Sequence, residues 1–198
     1  MGRKSLAAER RAQILDAFAV CLRKYGMEGC TLEKVAQEAG VQRSIIRHYI
    51  GNRDDLVTAA VTHIADEYVA ELAESFDNLP HDDRIPELLD FLFDPEVNSD
   101  LSDFDTLMNA LWTSQERDPQ TRDLLLNLHL VLENLIFEAL TQVYPDSDTV
   151  QRRETAYGVM CLCDSTWSML SLGFPQSRAA MARSTAEQLI ERLTEDRS

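Results

Sequence analysis

Arg43 and Arg47 stand four residues apart, the spacing that puts two side chains on one face of a helix. Gln42 and Ser44 lie beside them, so the start and outer face of segment 42–49 offer both donors and acceptors. The chemistry this permits is recognition rather than bond making. Arginine reading guanine bidentately in the major groove is the commonest base-specific contact. A plain phosphate contact is an equally good use of either arginine, because so many protein–DNA hydrogen bonds go to phosphate. Thr31, His48, Tyr49 and Arg53 are better candidates for the DNA backbone, although His48 also fits a solvent-facing ring. Arg53 falls near a helix N-terminus, where it would add its charge to amides that already favour phosphate.

These side chains need two short helices meeting across a tight turn. Ile14, Phe18, Cys21, Leu22 and Tyr25 recur at helical spacing and predict a first helix, which Gly26 and Gly29 break. Thr31 occupies an N-cap position before a short helix carrying Leu32, Val35, Ala36 and Ala39. Ala36 is small enough for close helix approach. Gly40 tolerates the left-handed backbone that the turn requires. A second short helix from Gln42 to Tyr49 follows, and Val35, Ala39, Val41, Ile46 and Tyr49 fall where a shared core would hold both. Gly51-Asn52 is a turn, with Asn52 placed to cap a long helix from Arg53 to about Phe76. An ordinary helical hairpin remains the alternative for this pattern alone.

The net charge of −15 argues against a nucleic-acid partner until its distribution is examined. Residues 1–62 hold ten Lys and Arg against seven Asp and Glu, a net +3, whereas residues 63–198 hold nine Arg against 27 acids, a net −18. A basic head on an acidic body suits an oriented DNA binder. No apolar run reads as long enough to cross a bilayer, and residues 1–10 are charged and lack the apolar core of a signal peptide, so a cytoplasmic protein is expected. Cys21, Cys30, Cys161 and Cys163 form no CxxC pair and read as buried or partly buried thiols.

Residues 10–57 resemble the N-terminal domain of the tetracycline repressor (TetR) family. The resemblance is carried by Ile14-Leu15-Asp16-Ala17-Phe18, Gly26, Thr31-Leu32-Glu33-Lys34-Val35-Ala36, Ala39-Gly40-Val41 and Arg47-His48-Tyr49-Ile50-Gly51-Asn52-Arg53-Asp54-Asp55-Leu56. It implies a dimeric, all-helical transcription regulator, usually a repressor released by a small ligand. Two positions depart from the pattern. Arg47 stands where a phosphate-binding tyrosine is usual, and Arg53 stands where the family has lysine. Both keep phosphate affinity, and Arg47 is the residue expected to alter the operator sequence read.

The expected architecture is all-α with about nine helices: a three-helix helix-turn-helix domain over residues 1–55, its motif at 32–50, and a helical ligand-binding and dimerisation domain over 56–198. In the body, helices are predicted around Ile85–Leu92 and Phe104–Trp112, from Asp118-Pro119 to about Tyr144, through Ala156–Leu170, and through Ala182–Leu193. Phe104, Met108, Trp112, His129, Glu133, Phe137, Met160 and Trp167 are candidates for a cavity lining, although core packing explains most of them individually. His129 and Glu133, four apart, form either a pair that orients a polar ligand or a surface pair. The partners expected are a double-stranded operator, a small-molecule effector of unknown identity and a second copy of the chain, joined through the last two helices with Leu189, Ile190 and Leu193 buried. No cofactor, metal, membrane partner or enzymatic activity is expected, since no GxSxG, phosphate-loop or metal signature occurs. The competing reading is a helical protein-interaction or small-molecule-binding module that does not bind DNA.

Overall fold

The computed structural model describes residues 3–80, 82–96 and 119–195. Every regular element among them is helical: α1 (Arg3–Gly29), α2 (Leu32–Glu38), α3 (Arg43–Tyr49), α4 (Arg53–Asp77), α5 (Arg84–Phe93), α6 (Pro119–Val143), α7 (Thr149–Ser171) and α8 (Ser177–Glu195). The helix expected around Phe104–Trp112 and the cap at Asp118 lie outside the described residues. The described residues fall into two compact units, 3–68 with 119–126, and 69–80 with 82–96 and 127–195.

In the first unit, Ile14, Phe18, Cys21 and Leu22 of α1 are buried as their spacing predicts. They meet Leu32, Val35 and Ala36 of α2, Ala39 just beyond it, Ile46 of α3, and Leu56, Ala60 and Val61 of α4 in one cluster. Fully burying a side chain such as Phe18, Ile46 or Leu56 contributes about 1.5–3 kcal/mol. Leu125 of α6 belongs to the same cluster. Tyr25, expected on the buried face of α1, is exposed, and its ring lies under the Lys34 ammonium at 3.8 Å. Gly26 supplies the break at the end of α1, with φ +67°.

The caps follow local chemistry. Thr31 Oγ1 accepts from the Lys34 amide at 3.3 Å, satisfying an otherwise orphaned donor of α2. At the other end of α2, Gly40 adopts φ +63°. Its amide donates to the Gln37 carbonyl at 3.2 Å and the Val41 amide donates to Ala36 at 2.9 Å, which is the Schellman arrangement. Asn52 Oδ1 accepts from the amides of Asp54 (2.7 Å) and Asp55 (3.1 Å), and Asp55 Oδ2 accepts in return from the Asn52 amide at 2.8 Å. This reciprocal box starts α4.

In the second unit, Asp148 caps α7 by accepting from Val150 and Gln151. Arg152 is buried, and its guanidinium donates to the carbonyls of Tyr144, Pro145 and Ser147 and to Thr149 Oγ1, closing the turn between α6 and α7. Trp167 Nε1 and Cys163 Sγ both donate to the Leu92 carbonyl, at 2.9 and 3.3 Å, and anchor α7 to the end of α5. Arg183 of α8 holds Asp90 of α5 at 2.6 Å.

Two expectations are corrected here. Ile190 and Leu193 are buried within the protomer at 1% and 4% exposure, so they pack α8 onto its own unit rather than onto a second copy. Large apolar side chains that are exposed include Leu126 and Leu130 of α6, Val150, Tyr157 and Met169 of α7, Leu172 and Phe174 in the turn after it, and Met181 of α8. By length and composition, Arg122–Val143 would also pass for a membrane span, against the sequence reading. Leu125, Leu128, Ile136, Ala139 and Leu140 are nevertheless buried in protein, the position of core-helix side chains.

Gly40 gives a clean test of the turn, because a Cβ there meets nothing within 4 Å. Gly40→Ala should therefore cost only the left-handed backbone, about 1–2 kcal/mol, read as a lower urea midpoint at unchanged slope. Gly40→Asn should cost less, because asparagine tolerates this conformation.

Candidate nucleic-acid interface

α3 is seven residues long, so it spans about 10 Å, and the major groove of B-DNA is about 12 Å wide. Ile46 faces the core with no exposure, and Ile45 and Tyr49 are half-buried. That packing turns Arg43, Ser44, Arg47 and His48 to the opposite, exposed face. Gln42, the N-cap residue of α3, and Thr31, the N-cap residue of α2, are exposed as well. The helix-turn-helix expected at 32–50 is thus present, and its polar face is continuous from Gln42 to His48.

The candidate residues differ in what holds them. Arg43 Nη1 lies 2.5 Å from Glu33 Oε1 of α2. Arg47 has no hydrogen-bond or ion-pair partner among the described residues. The His48 and Tyr49 rings meet edge-on, with centroids 4.9 Å apart. Arg53, expected at the DNA backbone, donates through Nη2 to the Met27 carbonyl at 2.9 Å and so ties α4 to the end of α1.

Three side chains that sequence reasoning did not single out set the frame. Gln13 Nε2 donates to the Ala39 carbonyl at 2.8 Å, and Arg11 Nη1 donates to the Tyr49 carbonyl at 3.3 Å. They fix the C-terminal ends of α2 and α3 to α1. Lys24 pairs with Glu38 at 3.0 Å, and this hydrogen bond raises the ammonium above its ordinary value. No local pattern signals such contacts, because each joins residues at least 14 positions apart to a backbone carbonyl or an exposed charge.

The cysteines of this unit offer no chemistry to the interface. Burial pushes the Cys30 thiol up to about 11 and raises Cys21 as well, so both are neutral thiols at physiological pH. Asp16, His63 and Glu67 bring their ligating atoms together at the outer edge of α1 and α4, with His63 Nε2 3.0 Å from Asp16 and 3.2 Å from Glu67. Both carboxylates are exposed, and the contact between His63 and Asp16 links the two helices.

The cavity-lining candidates are less well gathered. Phe104, Met108 and Trp112 lie outside the described residues. His129 faces Asp164 at 3.6 Å, and Glu133 faces Arg153 at 3.6 Å, so the expected His129–Glu133 pair is replaced by two cross-helix pairs. Phe137 lies under the Arg153 guanidinium at 3.6 Å, Met160 is buried, and Trp167 is held by the Leu92 carbonyl.

The family model for bacterial regulatory proteins of the tetR family matches residues 14–60. The HTH-type transcriptional regulator BetI of Escherichia coli is 25% identical over 96% of both chains. Residues 14–60 thus match the TetR family, and the chain is similar to such transcriptional regulators over nearly its whole length. In the BetI of Paraburkholderia phymatum, identity rises to 42% over a 55-residue match that covers 28% of each chain. A transcriptional regulator from Saccharomonospora viridis, solved in complex with choline, shares the fold at a TM-score of 0.73 and 16% identity, covering 93% of this chain and 96% of that one.

The bond from Arg53 to Met27 separates a structural role from a phosphate contact. Arg53→Ala should lower the unfolding free energy by about 1 kcal/mol, measured by urea denaturation without DNA. An unchanged midpoint would leave Arg53 without this structural role.

Proposed function

We propose that the protein is a ligand-responsive repressor that binds a palindromic operator as a homodimer in the cytoplasm. Residues 1–55 carry DNA recognition, and residues 56–198 carry effector binding and dimerisation. The observation that carries this reading is the exposed row Arg43, Ser44, Arg47 and His48 on a seven-residue helix whose opposite side is locked into the core. Gln42 and Arg43 at the start of α3 face the base edges. Thr31, Arg47, His48 and Tyr49 hold phosphates, and Arg53 adds its charge beside the first amides of α4.

Dimerisation is assigned to α7, α8 and the turn between them. Tyr157, Met169, Leu172, Phe174 and Met181 leave large apolar side chains uncovered there, and contiguous exposed apolar surface marks association sites. A two-fold dimer would set two copies of α3 about one DNA turn apart.

The effector is a small molecule, and a small organic cation is the favoured class. The body carries a net −18, and the Saccharomonospora viridis neighbour holds choline. Cations of this kind are recognised by aromatic faces and carboxylates. Effector binding would favour a separation of the two heads that misses successive major grooves, and its differential affinity for the two states sets the size of the shift.

Selection of random duplexes on the purified protein should enrich a palindrome with half-sites about one helical turn apart; recovery of no preferred sequence would defeat the reading. On the selected duplex, Arg47→Ala should weaken binding and reduce the salt slope by about one per protomer. Leu172→Glu should convert the dimer to monomer in light scattering while leaving the helical circular dichroism intact. Choline at millimolar concentration should release the duplex, and unchanged DNA affinity would remove this effector class.

A further inference from the structure

Arg43 and Arg47 share the exposed face of α3, yet the structure treats them differently. Arg43 is engaged by a carboxylate from α2, with Nη1 2.5 Å from Glu33 Oε1. Arg47 has no partner among the described residues. Both members of the Arg43–Glu33 pair are open to solvent, with side chains 49% and 61% exposed. An ion pair so exposed contributes little to folding. Glu33 also lies beside the face of α3 proposed above to meet DNA, where a carboxylate repels phosphate and works against the attraction of the neighbouring cations. A carboxylate in the first turn of α2 is favoured by the helix N-terminus, but that gain does not require Arg43 as its partner.

Orientation does. A free arginine distributes its guanidinium over many rotamers, and only some aim it at a base. Glu33 Oε1 accepts from Nη1, which leaves the Nε and Nη2 edge of the fork free. Two parallel N–H groups on that edge match the O6 and N7 acceptors of guanine. We propose that Glu33 is a specificity-determining positioning residue: it holds Arg43 so that Arg43 reads a guanine in each half-site, while the unpartnered Arg47 serves as a phosphate contact. The consequence is a division of labour between two arginines that spacing alone makes equivalent. Glu33 lowers affinity for every sequence and lowers it least where guanine accepts the oriented fork.

This inference rests on the operator-binding reading above, and one experiment separates the two. The full-length protein and its Glu33→Ala, Glu33→Gln, Arg43→Ala and doubly substituted Glu33→Ala/Arg43→Ala variants are each taken through selection on random duplexes. Each is then titrated with the wild-type palindrome and with duplexes substituted one base pair at a time. Wild type should discriminate at least tenfold for one G·C pair per half-site. Both Glu33 variants should lose most of that discrimination at this pair alone. They should bind unrelated duplex as tightly as wild type or more tightly, with the remaining base preferences intact. Loss of a merely structural group would instead weaken all sequences together. In the Arg43→Ala background, removing Glu33 should change discrimination no further.

Three results would overturn the inference. Unchanged preference in both Glu33 variants makes the pair incidental. A preference lost equally with or without Arg43 makes Glu33 itself the base reader. Failure of the wild type to enrich any palindrome removes the operator-binding reading and this inference with it, whereas an enriched palindrome indifferent to Glu33 removes the inference alone.

Discussion

The turn at Gly40 governs which side chains α3 turns outward. With φ at +63°, it lets the Val41 amide return to the Ala36 carbonyl, so the chain leaves α2 in one direction only. Everything that faces outward on α3 follows from that exit. Val41 packs against the core and Ile46 is buried, which sets the face that α3 turns outward. Ala36 and Ala39 keep the approach close, and the Gln13 amide fastens the Ala39 carbonyl to α1. The polar row on α3 is therefore a by-product of apolar packing on its other side.

Much of this frame was legible in the sequence because it is built from short-range chemistry. Thr31, Gly40 and Asn52 act on amides within a few residues of themselves, and residue type and position suffice to place them. Helical periodicity likewise placed Ile14, Phe18, Cys21 and Leu22 on one buried face, but it overran at Tyr25, beside the Gly26 break. Periodicity marks the face that packs without naming the element it packs on. That is why Ile190 and Leu193 could be assigned to a partner subunit when α8 uses them against its own protomer.

Polar partners were the least legible part. His129 and Glu133 have ideal spacing for each other, yet Asp164 and Arg153 from α7 take them instead. An i,i+4 pair on a helix surface stabilises by only about 0.2–0.5 kcal/mol, too little to resist a charged group delivered by a neighbouring helix. Arg152 shows the same limit in stronger form. Nothing about an arginine at the start of a helix announces that it will be buried with its guanidinium spread over the carbonyls of the preceding turn. The geometry of that turn makes it useful there, and the geometry is a tertiary product.

The charge partition looks different once individual cations are followed. A head of net +3 suggests a general attraction for phosphate. Most of its described cations are already committed within the chain: Arg10 to Gln13, Arg11 to the Tyr49 carbonyl, Lys24 to Glu38, Lys34 to the Tyr25 ring, Arg43 to Glu33 and Arg53 to the Met27 carbonyl. A cation spent on the frame still contributes its field, but it releases fewer counterions than one free to meet a phosphate. The body's −18 opposes the approach to DNA as well. Binding to arbitrary sequence should therefore be weak, and what affinity exists must come from a few contacts made in the correct register. For a regulator competing against a genome of wrong sites, the ratio of specific to non-specific binding matters more than either value. A head that holds Arg43 in place would gain on that ratio by giving up more affinity for other sequences than for its own.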